Sequence, residues 1–104
     1  MRAVDALHGL LNDSKEDVRW NAALALAQLG DGAGSDLLLK LLDHGYVDAL
    51  PDMTAEQKTE LMVNAVKGLG ILRHEPAHDR IRALSEDDPI LEVRNASLEA
   101  LKKF

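Results

Sequence analysis

The chain has no cysteine among its 104 residues. That excludes disulfides, thiolate nucleophiles and any cysteine-ligated zinc, and it suits a reducing compartment. Aromatic residues are almost missing as well: Trp20, Tyr46 and Phe104 stand alone, one of each type. Leucine, alanine, valine and isoleucine therefore have to fill the core. No apolar run approaches the roughly 20 residues that a bilayer-spanning helix needs, and MRAVDALHGLL carries no cleavage site after its short apolar stretch. The expected address is the cytoplasm, without a membrane partner. Positive charge is scarce too. Lys and Arg number 12 against 18 Asp and Glu, for a net charge of −6, and no segment gathers the basic residues together. Such a chain repels phosphate backbones, so nucleic acid is not an expected partner.

Catalytic signatures are missing in the same way. There is no nucleophile elbow. Gly30, Gly32 and Gly34 in GDGAGSD have no lysine at the spacing a phosphate loop requires, and they read as a helix end and a turn. One motif needs weighing: HEPAH, residues 74–78, fits the His-Glu-x-x-His pattern in which two imidazoles on one helical face hold zinc. Pro76 stands between the two histidines. Proline removes a helical hydrogen bond and biases the preceding Glu75 away from helical dihedrals, so His74 is expected outside the helix that carries His78. No third ligand is evident, because His8 and His44 belong to other parts of the chain. The motif reads as two surface histidines. No metal, no cofactor and no enzymatic activity are expected.

What the sequence does contain is helix. At 104 residues, 46% hydrophobic and 29% charged, it has the composition of a single folded domain. In KEDVRWNAALALAQLG, Val18, Ala22, Ala25, Leu26 and Leu29 recur at three- and four-residue steps, which is one face of an α-helix. Asp13 with Glu16 has capping-box spacing before it, and Gly30 closes it. The same reading predicts helices near 3–12, 15–30, 35–43, 54–73, 76–86 and 89–103. Thr54 with Gln57 caps the fourth, and Pro76 and Pro89 suit the first turns of the fifth and sixth. No stretch alternates with a strand's period of two.

The helices repeat. Superposing VRWNAALALAQLGD, LMVNAVKGLGILRH and VRNASLEALKKF aligns Val18 with Leu61 and Val93, Ala22 with Ala65 and Ser97, and Leu26 with Leu69 and Leu101. The step from Leu69 to Leu101 is 32 residues, whereas that from Leu26 to Leu69 is 43. The excess of 11 falls in HGYVDALPDMT, an inserted loop at about 44–54. Three units follow, at about 1–31, 34–73 and 76–104, each a short helix, a turn and a longer helix. Such units cannot bury their apolar faces alone and stack on one another. The expected fold is all-α, an α-α superhelix or near-linear solenoid of about three helix pairs in one domain.

LLNDSKEDVRWNAALALAQLGD closely resembles the HEAT-like repeats first recognised in phycocyanobilin lyases: a leucine pair, Asp, a short gap, Val-Arg, an alanine-rich helix and Gly-Asp. The third unit, LSEDDPILEVRNASLEAL, matches with Asp88 six residues before Arg94, as Asp13 lies six before Arg19. The middle unit departs, with Met62 in place of the arginine. The resemblance implies a structural ladder in which Asp13 and Asp88 cap the longer helices while Arg19 and Arg94 fold back to a carboxylate or a carbonyl, broken at Met62. It also implies a bacterial, non-catalytic protein-interaction scaffold. The competing reading is an accessory subunit of a lyase-type or cofactor-attachment enzyme, but three units form a small groove for a tetrapyrrole, with little aromatic surface to stack on it.

Helical phase places the candidate binding surface on the longer helices. The outward stripe is Asp17, Asn21, Leu24 and Gln28 in the first unit and Glu60, Asn64, Lys67 and Ile71 in the second. In the third it is Glu92, Ala96, Glu99 and Lys103. Each stripe starts with an acid, which suits a helix's first turn and also suits a basic or amphipathic partner segment. Trp20 lies beside the stripe, either as an anchor or as packing between units. The inserted loop, with Tyr46, Val47, Leu50 and Met53, either folds back on the solenoid or offers a hydrophobic contact. Leu98, Leu101 and Phe104 near one end, and Val4, Leu7 and Leu11 near the other, raise the expectation of a homodimer or of a longer repeat array.

Overall fold

The computed structural model describes residues 2–104, with side chains from Ala3 onward; residue 1 of the expected first unit lies outside the described residues. Among those residues the regular elements are all helical: α1 (Arg2–Leu10), α2 (Glu16–Gln28), α3 (Ser35–Lys40), α4 (His44–Asp48), α5 (Ala55–Leu72), α6 (His78–Asp87) and α7 (Leu91–Leu101), with a single 3-10 turn at Glu75–Ala77. α1 packs on α2, α3 on α5 and α6 on α7, and the three longer helices lie side by side in the order α2, α5, α7. The molecule is 18 Å thick in its shortest dimension, which is two helices deep. It is an all-α stack of paired helices.

The core lies between the two layers. Ala22, Ala23, Leu26 and Ala27 of α2, Leu38 of α3, and Met62, Ala65, Val66 and Leu69 of α5 are buried, as are Ile81 and Leu84 of α6 and Val93 and Ala100 of α7. Small residues set how closely the longer helices approach. A side chain added at Gly68 would come within 3.2 Å of Ala27 Cβ, and one added at Gly70 within 2.9 Å of Ala100 Cβ. In the repeat register Ala27 aligns with Gly70 and Gly68 with Ala100. The α2–α5 and α5–α7 contacts thus use the same two positions, each occupied by alanine or glycine.

Local signals explain the ends of the best-defined helices. Thr54 and Gln57 form the expected capping box, with both reciprocal bonds present. α2 and α5 finish in matching Schellman turns: Asp31 N–H bonds the Leu26 carbonyl and His74 N–H the Leu69 carbonyl. The residue ahead of each donor is left-handed, Gly30 at φ 81° and Arg73 at φ 49°.

Four expectations need correction. Asp13 and Glu16 form no capping box: Lys15 occupies the cap position, the Asp13 carboxylate accepts from the Lys15 N–H at 2.9 Å, and Glu16 is drawn to Tyr46. The third helix stops at Lys40, not at residue 43, and turns through Leu41 and Leu42. Pro76 sits in the 3-10 turn ahead of α6, and Pro89 precedes α7, whose cap residue is Ile90. The insertion is not all loop. It contains α4, capped by Asp43, whose side chain accepts from Gly45 N–H at 2.9 Å, and it buries Val47 and Leu50 against α5 and its neighbours.

Candidate protein-interaction groove

Because the insertion folds back, it builds a wall. The segment 50–53 stands beside the first halves of α2 and α5, and the three together enclose an open groove of about 520 Å³. Its floor is apolar, made by Trp20, Leu24, Leu50, Met53 and Leu61, and its rim carries Glu16, Asp17, Asp52 and Glu60. Asn21 and Asn64, which are repeat equivalents, both line it. No lysine or arginine lines the groove. A second recess of about 390 Å³ adjoins it through the shared Glu60 and adds Ala55, Glu56, Thr59, Val63 and Glu92, again without a cation.

Trp20 is only 8% exposed, so it works mainly as packing and shows one edge to the groove. Tyr46 stands behind it in a T-shaped contact with ring centroids 6.5 Å apart, and its hydroxyl donates to Glu16 Oε2 at 2.6 Å. Burial and then the Glu16 hydrogen bond hold the Tyr46 phenol above its ordinary pKa. Tyr46 does not line the groove. It joins α4 to the start of α2 and holds one wall in place.

The outward stripe is therefore divided. Asp17, Asn21, Leu24, Glu60 and Asn64, with the edge of Trp20, come together in the groove, and Glu92 lies in the adjoining recess. Gln28, Lys67, Ile71 and Glu99 lie further toward the helix ends and line neither depression. Ala96 of the third unit's stripe is buried. Sequence reasoning missed Glu16, Pro51, Asp52, Gln57 and Leu61 as groove residues. Leu50 and Met53 were legible only as apolar residues within an insertion.

The Asp–Arg ladder exists in one unit. Arg19 Nη1 donates to the main-chain carbonyl of Asp13 at 2.6 Å. Met62 replaces this arginine in the middle unit and is buried. In the third unit the Asp88–Arg94 rung is absent. Asp88, its side chain 1% exposed, instead bonds His44 Nε2 at 2.5 Å and the Ile90 N–H at 2.9 Å. Arg94 is left with a buried Nε that has no hydrogen-bond partner. His44 comes from α4, so in the third unit the inserted segment holds the aspartate of the Asp–Arg pair.

The HEPAH histidines are placed apart. His74 precedes the 3-10 turn, whereas His78 begins α6 and stacks on Phe104 with ring centroids 4.5 Å apart. Among the described residues, no group of three or more His, Asp or Glu is arranged to hold a metal ion, and no helix is long and apolar enough to cross a membrane.

Stacked helix pairs, joined through small residues at repeated positions, define an α-solenoid. A family model for HEAT repeats matches residues 1–56, and the chain belongs to the HEAT repeat family. The match is to HEAT repeats as such and carries no assignment to the lyase type. No curated protein and no solved structure matches the chain.

Proposed function

We propose that the chain is a non-catalytic, cytoplasmic protein-interaction module whose groove between α2, α5 and residues 50–53 receives a basic segment of a partner protein. HEAT repeats commonly serve as protein-interaction scaffolds, and the groove supplies what such a role needs. Its apolar floor gives a desolvated contact, and its acidic rim gives sign and orientation. The observation that carries the reading is the composition of that lining: four carboxylates with six apolar side chains, Pro51 included, and no cation among them. Glu56 and Glu92 of the adjoining recess extend the acidic row.

The test is titration calorimetry with two short peptides alike except that one carries lysine where the other carries glutamate. The lysine peptide is expected to bind, more weakly as salt rises from 50 to 300 mM, and to lose most of its affinity to the Leu24→Asp variant. Equal binding of both peptides, or binding that neither salt nor Leu24→Asp alters, removes the groove from the account.

A further inference from the structure

The two asparagines in the groove say more about the partner than its charge. Asn21 on α2 and Asn64 on α5 occupy the same repeat position and line the same groove. Of the other polar groups around them, Glu16 accepts from the Tyr46 hydroxyl, Asp17 from the Val18 N–H, and Gln57 pairs with Thr54, while the Asp52 and Glu60 carboxylates make no hydrogen bond or ion pair among the described residues and face a partner's cations. Neither asparagine has a hydrogen-bond partner among the described residues, although Asn64 is already partly buried. Each amide holds one acceptor and two donors. Covering them with a partner that leaves them unpaired would weaken binding.

The surface that matches such an amide is a peptide group, which also presents one donor and one acceptor. A helical partner has already paired those groups along its length, and its side chains hold the backbone off the surface. An extended segment leaves them free. Packed helix axes lie roughly 8–10 Å apart, a span that two or three extended residues cover at about 3.3 Å each. Side chains of an extended segment alternate in direction, so one set turns toward the apolar floor at Leu24 and Leu61 while the other reaches the rim at Asp17 and Glu60.

We infer that the groove holds its partner as an extended strand-like segment, with Asn21 and Asn64 bonding the partner's main chain and the acidic rim receiving its Lys or Arg side chains. This inference rests on the basic-partner reading above and adds the partner's conformation and the residues that select it.

Fluorescence anisotropy decides it with three labelled probes: a nine-residue peptide alternating lysine and valine, a hydrocarbon-stapled helix of equal charge and length, and the first peptide with its central backbone nitrogens methylated. The extended peptide is expected to bind about ten-fold tighter than the stapled helix. Methylation is expected to cost the wild-type protein about ten-fold, as the loss of one or two hydrogen bonds implies. The Asn21→Ala/Asn64→Ala double variant should bind the unmethylated peptide as weakly as wild type binds the methylated one, and should no longer distinguish the two. The methylated probe acts on unaltered protein, so the answer does not depend on the variant folding. Tighter binding of the stapled helix, or indifference to methylation, overturns the extended mode and leaves the acidic groove as a docking site for a helix. No binding by any probe overturns the groove reading along with it.

Discussion

Gly30 and Arg73 hold the same place in two Schellman turns, yet only glycine takes a positive φ without crowding its own Cβ. At φ 49°, Arg73 closes α5 at a steric cost that α2 does not bear. Arg73→Gly is expected to stabilise the protein by about 1 kcal/mol and to raise its melting temperature by ~4 °C in a thermal unfolding scan. An unchanged or lower melting temperature would mean that the arginine side chain returns more than its backbone costs. The turn was legible from the repeat register, which sets Arg73-His74 on Gly30-Asp31. The fate of the charged side chains was not. Asp13, Glu16 and Asp88 each have the spacing of a cap, but Glu16 and Asp88 are drawn to Tyr46 and His44, at separations of 30 and 44 residues. Local spacing carries no signal of partners that far along the chain.

The elements were read according to how much period they contain. α2 and α5 run 13 and 18 residues, several turns of repeating apolar positions between clear start and stop signals. α4 has five residues, little more than one turn, and one turn has no period to detect. Its role appears only in tertiary contact. Through Tyr46 it steadies the first helix pair, through Val47 it fills the core, and through His44 it grips the start of α7. Asp88 is the anchor of that grip, since it holds both His44 and the α7 N-terminal backbone. α7 has no side-chain cap, contrary to the expectation for Asp88, whose carboxylate instead accepts from the N–H of the cap residue Ile90. Asp88→Ala is expected to cost about 2 kcal/mol, and His44→Ala about 1 kcal/mol because the Ile90 N–H keeps its acceptor. Urea unfolding of the two variants measures both. Equal losses would place all the energy in the imidazole contact and none in the bond to Ile90.

At the scale of the whole molecule, each helix pair is joined to the next by one rule, a small residue of one long helix against a small residue of the following one. Ala27 meets Gly68, and Gly70 meets Ala100. The corresponding position on the open face of α7 is Lys102, with Leu98, 50% exposed, where Ala23 and Val66 are buried. Another pair stacking in the same register would have to cover a charged side chain where the earlier contacts admit only glycine or alanine. Sedimentation from 10 to 500 µM is therefore expected to give a monomer. A mass that rises with concentration and falls back in Leu98→Glu would show that the leucines override the lysine. The paired architecture was visible in the spacing of Leu26, Leu69 and Leu101. The groove was half visible, because its helical walls follow from periodicity while its third wall depends on how an insertion folds. That insertion also bears on how the protein comes apart. Solenoids share stability between neighbours and fray from their ends, but here His44 reaches Asp88, and the Arg80 guanidinium donates to the Leu42 carbonyl at 3.0 Å. These two clasps bind the last helix pair to the middle one, and the Tyr46–Glu16 bond ties the same insertion to the first, so the three pairs come apart as a single cooperative block instead of fraying one by one.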